Sequence, residues 1–302
     1  MDTAMTTHAT PSTSATYPAV SPAELAKAIG RSDAPLMLDV RREAKFTESP
    51  RIVCGAVRCT PEQVEAFARS HSPRQVVVYC VYGHNVSEDA VAQLNQAGWS
   101  AQLLSGGIEG GKEGSDADAD TAANIAAWRA QALPTILKRA DWGVTGEQAS
   151  RWITRARPKI DRIACPWLIR RFIDPRAEFF YVPTEQVFTE VKKRNAVAYD
   201  IPGAPVSHEG DLCSFDALLK GFDLHSPALA LLARIVRGAD TDRLDLAAQS
   251  AGLLAISLGL SRLHATDDHA MLATAMPMYD ALYAWCHDKA HQQDEAHNWK
   301  PA

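Results

Sequence analysis

The 302-residue chain is short of the features that usually place a protein at once. It has no Cys-x-x-Cys pair: six cysteines stand apart at 54, 59, 80, 165, 213 and 286. That spacing argues against a disulfide scaffold and for a reducing compartment. It has no uninterrupted apolar run, because Leu244 to Leu263, the most apolar long segment, is broken by Asp245, Gln249, Ser250 and Ser257. Such a segment does not span a membrane. The start, MDTAMTTHATPSTSATYP, is polar and lacks the basic and apolar regions of a secretory signal. Positive charge is not in excess either: the formal net charge is −5, which gives the whole molecule no pull toward nucleic acid or anionic lipid. No internal repeat is visible. What these absences leave is a cytoplasmic globular protein, long enough for two ordinary domains.

What is present begins after a polar tail, residues 1–16, expected to be disordered. Ser21, Pro22 and Glu24 form a helix start of the capping-box kind. LMLDV (Leu36–Val40) reads as a strand, Pro61–Ala68 as a helix and Val76–Cys80 as a central strand. Val86–Ala97 reads as a helix ending at Gly98, and SAQLLSGG as a last short strand. Strands alternating with helices predict an open parallel α/β sheet. The Gly- and Asp-rich GGKEGSDADAD (110–120) marks a boundary near 115. From there to residue 150 the expectation is a linker containing a helical connector, about Ala119 to Arg139, that Pro134 kinks or ends.

The strand VVVYC ends on Cys80, and Gly83 and a helix follow. In parallel sheets, ligands bind beyond the carboxyl ends of the strands. A cysteine there faces the unpaired N–H groups of the next helix, which stabilise an anion and favour thiolate. Gly83 allows backbone amides to turn inward around the sulfur. Spacing alone leaves two readings open: a nucleophile, or a small buried side chain.

Over residues 17–113, LMLDVRREAKF, GAVRCTP, VVVYCVYGHNVSEDAVAQLNQAGW and LLSGGIEG resemble, in order, the landmarks of a single-domain rhodanese. The resemblance implies a five-stranded parallel sheet flanked by helices and a sulfurtransferase chemistry. Cys80 would take a sulfane sulfur from a thiosulfate-like donor and pass the persulfide to a thiol acceptor or cyanide. Val81, Tyr82, Gly83, His84 and Asn85 would bind substrate. Asp39 and Arg41 match the family's Asp-Val-Arg segment, mainly a support, with Arg41 also placed among the substrate-binding residues. Two positions depart from the family pattern: Asn85 stands where the loop Cys-x-x-Gly-x-Arg has arginine, and Gly111 where a tryptophan is typical. Both bear on the preference for an anionic donor. Val86 occupies the sixth place after Cys80, so a Cys-x₅-Arg phosphatase or arsenate-reductase loop is excluded.

The second half has another texture. AEFFYVP and AVAYDIP read as strands flanking a helix that Thr184 could cap. Helices then follow one another: Ser226–Pro227 to Gly238, Asp240 to Leu263, and one capped at Thr266–Asp268 that runs to about His291. Asp240 or Thr241 could cap the middle one. The last helix carries Met271, Leu272, Met278, Leu282 and Trp285, which suit either a core or a homodimer face. This domain, 151–302, is expected to be mainly helical with a small β element.

Between 151 and 171, seven basic side chains face one acid, Asp161. Cys165–Pro166 reads as a helix start with the cysteine at the cap. Arg157, Lys159, Arg162, Cys165 and Arg170 are therefore oxyanion-binding candidates. In SHEGDLCSFDALL, His208, Glu209, Asp211 and Cys213 are candidate metal ligands, although neighbours in an extended chain point to opposite sides. The ordinary reading is a polar loop followed by Ser214 as a helix cap. His264 and His269 flank a helix–helix turn. A divalent metal here is the one cofactor the sequence suggests.

Over 152–288, TRARPKIDRIACPWLIRRFIDPRAEFFYVP, HEGDLCSFDALL, RIVRGADTDRLDLAAQSAGLLAISLGLSR and MYDALYAWC resemble the C-terminal domain of the chromate-resistance protein B family. That resemblance implies a place in bacterial chromate stress. Better-known members carry a different N-terminal domain and act as chromate-responsive transcription regulators. No helix-turn-helix reading offers itself before residue 150, so nucleic-acid binding is not carried over. The expectation is a cytoplasmic sulfurtransferase fused to an oxyanion- or metal-sensing domain. Its partners would be a small sulfur donor, a thiol acceptor and chromate, with no membrane. The alternatives are a non-enzymatic chromate sensor with a vestigial loop, and a thiol-based chromate reductase using Cys165 or Cys213.

Overall fold

The computed structural model describes residues 17–110 and 130–293. The expected tail, Gly111 and most of the Gly/Asp-rich break lie outside the described residues. The first half contains β1 (Ala19–Val20), α1 (Pro22–Ala28), β2 (Leu36–Asp39), α2 (Glu43–Glu48), β3 (Arg51–Val53) and β4 (Ala56–Arg58). It continues with α3 (Val64–Ser70), β5 (Gln75–Tyr79), α4 (Val86–Gln96) and β6 (Ser100–Leu104). The capping box at Ser21 forms: the Glu24 amide donates to Ser21 Oγ at 3.2 Å, and the Ser21 amide to Glu24 Oε2 at 2.9 Å.

The sheet is five-stranded and wholly parallel, in the order β1-β6-β5-β2-β4. Both faces are covered, so its strands read as nearly continuous apolar runs. Alternation still sorts them. Leu36, Leu38, Val76, Val78 and Cys80 pack with α3 and α4 residues such as Val64, Val91 and Leu94. Met37, Val77 and Tyr79 face the other way, into a core that also holds Trp167, Phe172 and Tyr283. The second half of the chain thus covers one face of the first half's sheet.

That second half contains β7 (Thr135–Leu137), β8 (Arg151–Arg155), α5 (Asp161–Leu168), β9 (Glu178–Val182), α6 (Val187–Arg194) and β10 (Val197–Ala198). Four helices complete it: α7 (Ser214–Gly221), α8 (Pro227–Asp240), α9 (Ser250–Leu263) and α10 (Asp268–Ala290). Its small sheet is parallel, ordered β10-β8-β9. The central strand β8 falls within the charged segment, where Arg151 and Arg155 obscure the apolar Trp152 and Ile153.

The expected helical connector lies outside the described residues as far as residue 129, and its last part, 130–139, is not helical. There β7 pairs antiparallel with β3, and the Arg58 amide reaches the Gly146 carbonyl at 2.8 Å. Arg51 adds an ion pair to Asp223 at 2.6 Å, and the Gly55 amide donates to the Phe172 carbonyl at 2.8 Å. The contact is close enough to require glycine at position 30. It has φ +88°, and a Cβ there would meet the Phe172 ring at 2.2 Å.

Several expected boundaries move. The expected helix from Asp240 to Leu263 is two elements, because Asp242 takes the left-handed φ of +57° and breaks the chain direction. Asp240 and Thr241 therefore end α8, past Gly238, rather than cap α9. Thr184 lies inside a 3₁₀ turn before α6 instead of capping it. Asp267 does cap α10, accepting from the Ala270 amide at 2.9 Å. The Met271 to Trp285 set divides: Met271 and Leu272 are buried, whereas Trp285 lies outward, on a surface that also exposes Ile256. No helix among the described residues is long and apolar enough to cross a membrane.

Candidate functional site

The protein gathers reactive side chains at two places, each where a parallel strand hands over to a helix. The first is Cys80. Strand β5 ends at Tyr79, and the sulfur emerges on the α4 side, 7% exposed. The Gly83 amide donates to Cys80 Sγ at 3.3 Å, and the buried Ser87 hydroxyl lies 3.3 Å from it. The thiol itself is 3.4 Å from the His84 carbonyl, its acceptor.

The loop has one shape available. Gly83 takes φ +80°, and a Cβ there would lie 2.7 Å from the Leu104 carbonyl oxygen. The Ile108 and Glu109 amides tie down the Cys80 and Val81 carbonyls at 3.1 and 3.0 Å. Asn85 enters α4 at φ +35°, ψ −83°, a strained conformation for a side-chain-bearing residue. Of the residues Val81 to Asn85, Gly83 and His84 reach the sulfur through their backbone, by an amide and a carbonyl. Arg41 does not belong with them. It is wholly buried, with its guanidinium on Asp39 at 2.6 Å and on the Arg51 carbonyl at 3.0 Å. A cation enclosed this way braces the sheet end and offers no face to a donor.

The second place is the entrance to α5. Ile160, β-branched yet at φ +41°, ψ −100°, turns the chain so that Asp161 begins the helix fully buried. Its carboxylate accepts the Ser214 and Phe215 amides at 2.6 and 3.0 Å, the first two N–H groups of α7. Asp161 thus caps α7 from another segment. The adjoining cap position belongs to Cys213, not Ser214, with the Cys213 amide donating to Asp216 at 3.1 Å.

Around Asp161 converge Asp200, Asp240 and His208. His208 Nε2 lies 3.1 Å from Asp240, 3.3 Å from Asp200 and 3.8 Å from Asp161. One ligand atom from each of the four lies within 4.8 Å of all the others. Burial and the neighbouring Asp240 and Asp200 carboxylates push the Asp161 carboxyl up to about 7. Asp240 moves the same way, through burial and Asp200. The hydrogen bond to Asp200, with the charges of Asp161 and Asp240, raises His208 to about 9 against the opposing effect of burial.

Of the four metal-ligand candidates in the sequence, only His208 is in this group. Glu209 is exposed on Lys220 at 2.7 Å, Asp211 is exposed, and Cys213 is buried with its thiol toward Asp216 at 3.4 Å. Asp161, Asp200 and Asp240 were missed as ligands because 79 residues separate the outer two. The one legible signal was a single acid inside a basic run.

The oxyanion candidates also separate. Arg157 spends its guanidinium on the Ser261 and Ala265 carbonyls at 3.2 and 3.3 Å. Arg162 pairs with Asp200 at 3.3 Å, and Arg170 lies over the Phe179 ring. Lys159, half-buried, stays near Arg162 and Arg157, and its pKa is lowered by burial and by those charges.

Cys165 is not a cap. It and Pro166 lie inside α5, which tolerates the proline because the Tyr199 hydroxyl donates to the Arg162 carbonyl at 3.2 Å, the acceptor the proline leaves free. Cys165 and Cys213 are sealed from solvent, and burial together with Asp161 holds both thiols far toward the protonated form. Neither is placed to reduce chromate as a thiolate. His269 packs on the Tyr181 ring.

Comparison with known proteins agrees with this division. Residues 21–113 match the rhodanese-like domain family, and residues 152–286 match the family described as ChrB, C-terminal domain. Protein ChrB of Cupriavidus metallidurans is 34% identical over 140 residues, 46% of this chain and 41% of that protein. The match therefore spans about two fifths of that relative's length. Among solved structures, a rhodanese homolog from Thermus thermophilus is 26% identical, covering 30% of this chain and 96% of that one at a TM-score of 0.25. A thiosulfate sulfurtransferase from Pseudomonas aeruginosa is 23% identical, covering 40% of this chain and 19% of that one at a TM-score of 0.29. This chain carries a rhodanese-like domain followed by a ChrB C-terminal domain.

Proposed function

We propose that this chain is a rhodanese-type sulfurtransferase, with Cys80 as its nucleophile, serving chromate resistance through its ChrB C-terminal domain. The observation that carries the reading is the setting of the Cys80 sulfur: the Gly83 amide donates to it at 3.3 Å, and the Ser87 hydroxyl, which donates to the His84 carbonyl at 3.2 Å, lies 3.3 Å away. A donor fixed in advance, as the Gly83 amide is, stabilises a sulfur anion without reorganising when it forms. Once Cys80 loses its proton, its bond to the His84 carbonyl is lost, the Gly83 amide remains, and rotation of the Ser87 hydroxyl away from that carbonyl supplies a second donor.

The thiolate attacks the outer sulfur of a thiosulfate-like donor. A new S–S bond forms at Cys80, the donor's own S–S bond breaks, and sulfite leaves with the electron pair. An acceptor thiolate or cyanide then attacks the outer sulfur of the persulfide, and Cys80 departs as thiolate, ready for another cycle. With Asn85 in the place of the usual arginine, the loop lacks that cation for a dianionic donor. A less charged persulfide donor suits it better.

The test is intact-mass analysis of the wild-type chain and Cys80→Ser after incubation with thiosulfate and, separately, with a low-molecular-weight persulfide. The mass of one added sulfur on the wild type alone supports the reading. A folded wild type that gains no sulfur from either donor refutes it and favours the non-enzymatic sensor.

A further inference from the structure

We infer that Asp161, Asp200, His208 and Asp240 form a binding site for one divalent first-row transition ion, Mn²⁺ or Zn²⁺, in the ChrB C-terminal domain. The inference is independent of sulfur chemistry at Cys80. The quartet differs from an ordinary acidic surface patch in three respects.

The first is convergence. The four residues come from the start of α5, the chain after β10, the loop before α7 and the end of α8, and their ligand atoms lie within 4.8 Å of one another. Opposite ligands of an ion with bonds of about 2.2 Å stand about 4.4 Å apart. Small side-chain rotations would close this group on one ion.

The second is the donor set. Three carboxylates and one imidazole combine hard oxygen with a borderline nitrogen, which suits Mn²⁺ or Zn²⁺. Three carboxylates against a divalent ion leave one negative charge, and Arg155 and Arg162 stand at Asp200 Oδ2, each at 3.3 Å, to offset it.

The third is the support behind the ligands. Asp161 is held by the Ser214 and Phe215 amides, and Asp200 Oδ1 accepts the Ser214 hydroxyl at 3.2 Å. Asp240 Oδ1 accepts the Asp161 amide at 3.4 Å, while its other oxygen faces His208. Such outer contacts orient metal ligands and fix which oxygen is presented. Three acids this close, with side chains 0%, 8% and 17% exposed, repel one another unless a cation lies between them. His208, 39% exposed, forms the open side through which an ion and its waters would enter.

The full-length chain would be purified, stripped with a chelator, and titrated with Mn²⁺ and with Zn²⁺ by calorimetry, with elemental analysis of the reloaded protein. The expected result is one ion per chain and a higher melting temperature on loading. His208→Gln and Asp240→Asn should each weaken binding by about 100-fold or more, whereas Glu209→Gln and Cys80→Ser should bind as the wild type does. Asp161 is avoided because its loss would release the start of α7. A folded wild type that takes up neither ion stoichiometrically overturns the inference and leaves a protonated His208 as the cation. Unchanged affinity in both His208→Gln and Asp240→Asn, with circular dichroism intact, overturns it as well.

Discussion

The entrances to α4 and α5 are built alike and put to opposite uses. Each follows a strand of a parallel sheet, and each turns on a residue other than glycine at positive φ: Asn85 at +35° and Ile160 at +41°. At α4 the turn points the Gly83 amide at one sulfur. At α5 it presents an acid, which then gathers two more acids and a histidine from distant segments. A strand-to-helix turn supplies a place and a polarity. What fills that place decides whether it favours a nucleophile or a cation.

The largest expected effect falls on the first entrance. Cys80→Ser should reduce persulfide formation to background while leaving the melting temperature and Mn²⁺ or Zn²⁺ uptake unchanged. If sulfur loading persists in that variant, another thiol carries the chemistry and the two entrances are not functionally distinct.

Next in size is Asp161→Ala, which strands two buried amides of α7. At about 1–3 kcal/mol for each orphaned donor, urea denaturation should show a loss of several kcal/mol. A loss below about 1 kcal/mol would mean that Asp161 is not the cap of α7. Gly83→Ala acts on the other loop through its φ of +80° and the 2.7 Å approach to Leu104. It should cost about 1–3 kcal/mol and slow sulfur transfer, read by denaturation and persulfide kinetics.

A gain would sharpen the comparison further. Asn85→Arg places a cation at the first entrance and should raise turnover with thiosulfate by about tenfold, a difference of about 1.4 kcal/mol in the barrier. Turnover with an uncharged persulfide should barely move. Equal gains with both donors would show that charge recognition is not what the loop lacks.

The smallest expected effect is a pH dependence at the second entrance. In the chelated chain His208 is raised from 6.5 to about 9, so its contribution to stability is complete below about pH 6.5 and is lost as pH rises toward 9. The melting temperature of the chelated protein should fall across that window, and that of His208→Gln should fall less. A wild-type melting temperature that rises from pH 6.5 to 9 would contradict the geometry around His208.

How much of each entrance could be read in advance follows from the sequence separation of its parts. The Cys80 cradle is local: sulfur, Gly83 and Ser87 lie within eight residues, and strand–turn–helix is a short-range pattern. The capping box at Ser21 and the parallel sheet were legible for the same reason. Arg41 was misplaced because a buried pair with Asp39 and a donor-binding arginine look identical in sequence. The Asp161 quartet could not be read, because its members are ordinary cap and loop acids until the chain folds. The metal expectation fell on Glu209, Asp211 and Cys213 because they adjoin His208, whereas the real neighbours of its imidazole come from other segments.

By itself the sequence determined the two-part organisation, the sheet that ends in Cys80 and the helical character of the second half. Apolar periodicity and turn residues act over a few neighbours, and a reader sees the same neighbours. Only the tertiary structure decided that 130–150 is woven into both halves and that the basic run scatters, with Arg155 and Arg162 on Asp200, Arg157 on the Ser261 and Ala265 carbonyls and Arg171 on Asp280. It alone brought three acids and a histidine together. Those outcomes depend on long-range packing and on charges finding partners across space, and no local pattern encodes them.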